Sequence, residues 1–257
     1  MVHRPGDELR RVTPATMDEL LFDELLWVER AAEEHDAFTA VLRAGGAEVL
    51  YLADLLTELL TDRALAVALV SDQVGDDLGG RRLGDRLRGF LLDRPPPDLV
   101  RYLIGGVTVG DLGVTGGLVA ALTGPSQFLL PPLPNTVFTR DSSVWIDQGV
   151  VLAPMNRTVR RRETALLAWL YRHHPRFAQS AIWFGDAPGE HFPSTVEGGD
   201  LLVLSNRGMA VGVSERTSPP GAAALASRLF EQGVVDRILV VVLPLSRATM
   251  HLDTVVS

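Results

Sequence analysis

Apolar positions change period twice along the chain. Over residues 27–44, Trp27, Val28, Ala31, Ala32, His35, Phe38, Val41 and Leu42 recur at helical spacing, and Gly45-Gly46 supplies a stop, which predicts an amphipathic helix. The run Ala47 to Leu52 predicts a strand. From Ala53 to Gly124 the texture becomes Leu-rich with Gly or Pro breaks, through Leu55 to Leu60, Leu83 to Leu92 and, beyond Pro95-Pro96-Pro97, Leu99 to Ile104. This reads as a small helical subdomain whose plainest role is packing. After Pro131-Pro132 the pattern alternates. Val144-Trp145-Ile146, a turn at Asp147-Gln148-Gly149 and Val150-Val151-Leu152 predict a hairpin; Glu163 to His173 predict a helix and Ala181 to Phe184 a strand. A second hairpin, Leu201 to Leu204 and Met209 to Val213 about Asn206-Arg207-Gly208, leads to helix Ala222 to Glu231 and strand Ile238 to Leu243.

The two units form an internal repeat: Asp141 aligns with Asp200, Val144 with Val203, Gly149 with Gly208, and Arg157-Thr158 with Arg216-Thr217. Asp253 and Val256 reopen the pattern, so a third copy is expected to begin there and be cut off at Ser257. Arg4-Pro5 takes the Arg-Thr position, which places the start of the chain inside an earlier copy. Small repeated units imply a radial or solenoidal architecture, each copy burying its faces against its neighbours. The expected fold is α/β: an incomplete, pseudosymmetric ring of ββαβ-type repeats with an inserted helical subdomain. Its expected parts are a partial first unit over 1–52, the helical insertion over 53–128 and the repeats over 129–257. Exposed edges at both ends of such a ring predict self-association. In a pseudosymmetric ring equivalent loops converge on the axis, bringing together Asn135, Phe138 and Asp141, Glu197 and Asp200, and His251 and Asp253.

Composition narrows the chemistry. The 257 residues include no cysteine and, since every residue in the Lys+Arg count of 24 is arginine, no lysine. Disulfides, thiolate metal sites, thiol nucleophiles, Schiff-base lysines and a Walker lysine are therefore excluded. The formal charge of −8 argues against a general nucleic-acid or anionic-membrane binder. The longest apolar run, Ile238 to Leu245, is too short to span a bilayer, and the first residues lack the blocks of a signal peptide, so a cytoplasmic protein is expected.

Several carboxylates around one cavity suit a cation, and a guanidinium in particular, through paired charge-assisted hydrogen bonds. Arg160 and Arg216, after the hairpins, suit a carboxylate at the other end of the same ligand. Arginine or a close derivative satisfies both. Plainer readings stand beside this one. Asp141 and Asp200 suit turns or caps, with Asp200 next to Gly198-Gly199 the more structural of the two. His251 suits a half-buried position as well as an acid or base, and Arg157, Arg160, Arg161 and Arg162 suit a solvated helix start. Neither Glu190-His191 nor His173-His174 has a recognised metal-ligand spacing.

Five ordered runs, His3-Arg4-Pro5-Gly6, Phe138-Thr139-Arg140-Asp141, Glu197-Gly198-Gly199-Asp200, Ser214-Glu215-Arg216-Thr217 and His251-Leu252-Asp253, resemble arginine deiminases over essentially the whole chain. The resemblance implies a five-bladed α/β propeller of the guanidino-group-modifying superfamily and hydrolysis of L-arginine to L-citrulline and ammonia, with neither metal nor organic cofactor. It implies that Asp141 and Asp253 clamp the guanidinium and that Glu197 and His251 assist proton transfer. It gives Asn135, Arg160 and Arg216 to the α-carboxylate and α-amino groups, and Phe138 to the pocket wall; three consecutive arginines leave the register of Arg160 open. Agmatine deiminases and amidinotransferases share the implied fold, but the run at Ser214 and the helical insertion favour the enzyme for free arginine. Arginine deiminases attack with a cysteine near the C-terminus, and the chain stops before that loop. It is thus expected to be truncated at both ends and inactive alone, since losing the nucleophile of an interdependent group costs about 10⁶ in rate. A non-catalytic arginine-binding remnant or subunit is the competing expectation.

Overall fold

In the computed structural model, residues 1–75, 81–114, 122–185 and 193–256 are described, and the chain divides into two compact units, Met1–Val137 and Phe138–Ser257. The first unit follows its Leu-rich pattern. A one-turn helix α1 (Asp7–Arg10) precedes α2 (Val28–Ala44), α3 (Leu52–Leu59), α4 (Arg63–Gln73), α5 (Arg81–Leu92) and α6 (Pro96–Gly105). Asp62 caps α4 by accepting from the N–H groups of Ala64 and Leu65. Pro96 opens α6, where its missing N–H leaves no bond unmade. Leu55, Leu56, Leu69, Leu87, Leu91 and Leu103 are buried among these helices.

The strand expected over Ala47–Leu52 does not form. Val2 donates to the Leu50 carbonyl and accepts from the Leu52 N–H, giving one parallel bridge between Val2 and Tyr51, and Leu52 already starts α3. A single bridging residue cannot propagate a ladder, whatever the β propensity of the run beside it. The helical stretch also closes on a short antiparallel pair, β1 (Val107–Thr108) with β2 (Phe128–Leu130), which the Leu-rich pattern does not announce.

The second unit contains the repeat. After a one-turn helix α7 (Thr139–Ser142), β3 (Ser143–Ile146) and β4 (Gly149–Leu152) pair antiparallel, α8 (Arg161–His173) crosses over, and β5 (Ala181–Phe184) returns parallel to β4. The second copy follows the same course. Strands β6 (Leu201–Ser205) and β7 (Gly208–Val213) form the hairpin, α9 (Pro219–Glu231) the crossover, and β8 (Arg237–Val242) pairs parallel to β7. Both helices start earlier than their apolar patterns begin. A 3-10 turn over Thr158–Arg160 feeds α8, and Ser218 caps α9 ahead of Pro219 by accepting from the Gly221 N–H.

Packing joins the two copies. Val144, Ile146, Val151 and Phe184 of the first share one buried cluster with Leu201, Met209, Val211, Leu225 and Leu229 of the second. Helix α9 packs against β5, with Arg228 Nε donating to the Trp183 carbonyl at 3.4 Å. No element among the described residues does the same for β8, where Leu239, Val240 and Val242 are exposed. The sheets β3-β4-β5 and β6-β7-β8 remain separate and three-stranded. No helix among the described residues is long and apolar enough to cross a membrane.

Candidate functional site

The site is assembled from three short turns at equivalent places in the repeat: α7 before β3, the 3-10 turn Gly198–Asp200 before β6, and the 3-10 turn Leu252–Thr254. The first two lead directly into β3 and β6, and the turn at Gly198–Asp200 packs against both of the others. At the centre is Glu197, with 0% relative exposure. Its Oε2 accepts from His251 Nε2 at 2.8 Å and its Oε1 accepts from the Asn156 backbone N–H at 3.1 Å. His251 lies against the backbone of Gly199, where a Cβ would come within 2.6 Å of the imidazole ring. The tandem glycines thus admit the histidine.

Asp200 is also fully buried, and it is structural. Its Oδ1 accepts from the Leu252 N–H at 2.9 Å, and its Oδ2 accepts from the Ser214 hydroxyl at 2.7 Å. Ser214 Oγ in turn accepts from the N–H groups of Arg216 and Thr217. One carboxylate therefore fixes both the segment bearing His251 and Asp253 and the loop bearing Arg216. Desolvation would charge a high cost for this ionised group were those donors absent, and burial does raise its pKa above the usual carboxylate range.

Arg160 is buried, whereas Arg161 and Arg162 are partly exposed. Its Nη1 donates to Asp141 Oδ2 at 2.7 Å, and its Nε and Nη2 donate to Glu163 Oε2 at 3.1 and 2.8 Å. Glu163, one turn along α8, also accepts from the Ser142 hydroxyl. Nothing in the sequence pattern marks Glu163 beyond the start of a helix; its three-residue spacing from Arg160 was the available signal. Arg216 is 4% exposed, yet among the described residues its nearest carboxylate oxygens are 3.5 Å away on Glu197 and 3.6 Å away on Glu215, and its Nε has no hydrogen-bond acceptor. Asp253 is partly exposed, with Arg140 Nη1 at 3.9 Å. Phe138 opens the unit half-exposed.

Asn135 belongs to the first unit, where it is buried and its amide donates to the Leu20 carbonyl. His173 stacks on Trp169, and His174 Nδ1 accepts from the Arg176 N–H. Glu190-His191 lies outside the described residues. Among the described residues no group of three or more His, Cys, Asp and Glu side chains is arranged to hold a metal ion.

The electrostatics follow the geometry. Burial disfavours a charged His251, but the bond to Glu197 and the fields of Asp141, Glu197 and Asp200 outweigh it, so the imidazole titrates above its ordinary range. Burial likewise opposes ionised Glu197, yet the His251 bond and the charges of Arg160, Arg216 and His251 hold it below the usual range. Asp253 is pushed up, by burial first and by Asp141. His251, raised, contributes stability fully below the unfolded imidazole value of about 6.5 and loses it as pH rises through the folded value. Glu197, lowered, contributes above the ordinary carboxylate range and loses that as pH falls through its folded value. Melting temperature should therefore decline as pH rises above about 6.5, and His251→Gln should flatten that alkaline decline. An unchanged slope in thermal melts of the variant would contradict the pairing.

A family model described as arginine deiminase matches residues 18–257. The chain belongs to the arginine deiminase family. Arginine deiminases of Rhodococcus jostii and Rhodococcus erythropolis are 45% and 43% identical to it over 99% of this chain, and that of Mycobacterium marinum is 42% identical over the same share. The chain spans 63% of the length of these curated relatives. Among solved structures, a dimethylarginine dimethylaminohydrolase adduct is 25% identical, covers 46% of this chain and 42% of that one, and has a TM-score of 0.36. A Pseudomonas aeruginosa DDAH complexed with citrulline gives 25% identity, coverage of 43% and 39%, and a TM-score of 0.35. Asp141, Glu197, Arg216, His251 and Asp253, all in the second unit, come from four of the five sequence runs.

Proposed function

We propose that the second unit recognises L-arginine as an arginine deiminase does, and that this cysteine-free chain binds arginine without converting it to citrulline and ammonia. Asp141 and Asp253 take the guanidinium, Glu197 and His251 form the proton-transfer pair, and Arg216 takes the α-carboxylate. Arg216 carries the reading. A buried guanidinium whose Nε has no acceptor among the described residues, with carboxylate oxygens of those residues no nearer than 3.5 and 3.6 Å, is a cation suited to an added anion. With Asp141 and Asp253 read as the guanidinium's partners, a ligand cationic at one end and anionic at the other fits, and agmatine lacks the anionic end.

The same residues explain why turnover is not expected. A resonance-stabilised guanidinium is a poor electrophile. Clamping polarises it, but a nucleophile must still add to its central carbon, and these 257 residues hold no thiol. We also read the two repeats as consecutive sectors of a pseudosymmetric α/β propeller. Helix α9 covers β5, so the equivalent helix of a following repeat would cover the exposed β8, and an uncovered β8 favours self-association.

Calorimetry with L-arginine and agmatine, together with a citrulline assay, tests the proposal. Arginine should bind at least about tenfold more tightly than agmatine, a difference of about 1.4 kcal/mol, with citrulline at background. Equal affinities, or no heat with millimolar arginine, would remove the recognition reading. Robust citrulline formation would remove the inactivity.

A further inference from the structure

Thr217 ties the two halves of the Glu197–His251 pair to one support. It is fully buried, with 0% exposure. A hydroxyl offers two lone pairs and one proton. Thr217 Oγ1 accepts from the Glu197 backbone N–H at 3.0 Å and donates its proton to the Asp200 carboxylate. Asp200 Oδ1 in turn accepts from the Leu252 N–H at 2.9 Å, on the residue next to His251. Glu197 and His251 therefore hang from the same carboxylate, one through the Thr217 hydroxyl and the other through the neighbouring peptide. The hydroxyl is itself fixed by a closed turn, in which the Thr217 carbonyl accepts from the Ser214 N–H at 3.0 Å and the Thr217 N–H donates to Ser214 Oγ at 3.1 Å. The repeat supplies a contrast. Thr158, at the equivalent position of the first copy, is exposed, and Asp141, the counterpart of Asp200, is bound by Arg160.

We propose that Thr217 is a positioning residue for this pair: its hydroxyl sets Glu197 against His251 and so maintains the 2.8 Å contact between Glu197 Oε2 and His251 Nε2. Its bearing on arginine rests on the reading of the pocket as an arginine site. A hydroxyl that donates to a carboxylate is polarised and becomes a better acceptor, so the Asp200 charge strengthens the bond that holds the Glu197 backbone. Without the hydroxyl, the Glu197 N–H loses its acceptor and Asp200 loses one donor. Buried groups left unmatched are costly, and the Glu197 segment relaxes to remake those bonds at the expense of its side-chain geometry. A charge-assisted bond weakens as its atoms leave their short, aligned arrangement. Against burial, the Glu197 bond and the fields of Asp141, Glu197 and Asp200 hold the imidazole above its ordinary range, and Asp253 lies in the field of the same ring. The titration of His251 thus reports the contact that Thr217 is placed to maintain.

The test follows the His251 imidazole by NMR titration in the unaltered chain, Thr217→Val and Thr217→Ser, with His251→Gln to assign the resonance, and measures L-arginine affinity by calorimetry. Valine keeps the shape and loses the hydroxyl; serine keeps the hydroxyl and loses the methyl. In Thr217→Val the imidazole should titrate lower by about half a pH unit or more, and arginine should bind about tenfold more weakly. Thr217→Ser should restore both towards the unaltered chain. A threonine that only fills space would make serine the more damaging change. A valine variant that melts earlier but leaves the imidazole titration unmoved would make Thr217 structural alone, and either result overturns the proposal. A second measurement requires no substitution. The buried Thr217 hydroxyl proton should exchange slowly enough with water to be observed, with a cross-peak to the Glu197 amide proton, and its absence counts against the relay even if Thr217→Val fails to fold. The titrations need no ligand. If the unaltered chain binds no arginine, the reading of the pocket falls, and the imidazole still decides the role of Thr217.

Discussion

Glu197→Ala should lower the melting temperature by about 6–20 °C and abolish measurable arginine binding. Glu197 has no exposure and answers three groups at once: His251 Nε2 at 2.8 Å, the Asn156 N–H at 3.1 Å and, more loosely, Arg216 Nη1 at 3.5 Å. Removing one partner of a buried charge pair leaves the other uncompensated, which costs about 3–5 kcal/mol, and for a chain of this size each kcal/mol moves the midpoint about 2–4 °C. The loss concentrates on the site because Arg160 and Arg216 both lie in the field of Glu197 and help keep it ionised. Glu197→Gln should be milder, since an amide oxygen can still accept from His251 and the Asn156 N–H. Differential scanning calorimetry on both variants checks the ordering. A shift for Glu197→Ala smaller than that for Glu197→Gln would refute the assignment of Glu197 as the buried counter-charge.

Gly212→Ala should be nearly as damaging, though it adds one methyl and removes no polar group. A Cβ at this position of β7 would come within 2.2 Å of Asp200 Oδ1 and 3.0 Å of Leu252 Cβ. That oxygen accepts from the Leu252 N–H, while the other accepts from Ser214. Moving Asp200 therefore combines overpacking with loss of a buried acceptor, about 2–5 kcal/mol together. Because Asp200 supports both the His251–Asp253 turn and the Ser214–Arg216 loop, arginine affinity should fall with stability. Gly208→Ala is the control. Its new methyl would meet only the Ser205 hydroxyl at 2.8 Å, on a side chain able to rotate, and should cost less than about 1 kcal/mol. Comparable losses from the two substitutions would show that β7 tolerates glycine replacement poorly in general and that Asp200 is not the point of damage.

The parts of the second unit that were legible in advance share a cause. Short apolar runs on either side of a glycine-bearing turn, Ser143–Ile146 with Gly149–Leu152 and their counterparts Leu201–Ser205 with Gly208–Val213, mark the two hairpins. Repetition then makes one copy a check on the other. The Ala47–Leu52 run had no such second copy and no partner beyond Val2, so its β-branched and aromatic residues were not enough to make a strand. Glu163 escaped notice for a related reason. An acidic residue in the first turn of a helix is ordinary, and only the fold, which carries Asp141 to the far side of Arg160, turns that residue into one end of a buried carboxylate–guanidinium–carboxylate bridge.

By itself the sequence determined the repeat, the chemical types gathered at its leading turns and the absence of any thiol, because periodicity and composition are properties of the chain alone. Tertiary structure decided which charges meet. Asp141 is 19 positions from Arg160, Glu197 is 54 from His251, and Asp200 is 52 from Leu252. The first is closed inside one repeat by its crossover helix and the other two by packing one repeat on the next, and in a buried site the identity of the nearest counter-charge, more than the type of residue, fixes its proton affinity and its readiness for a ligand.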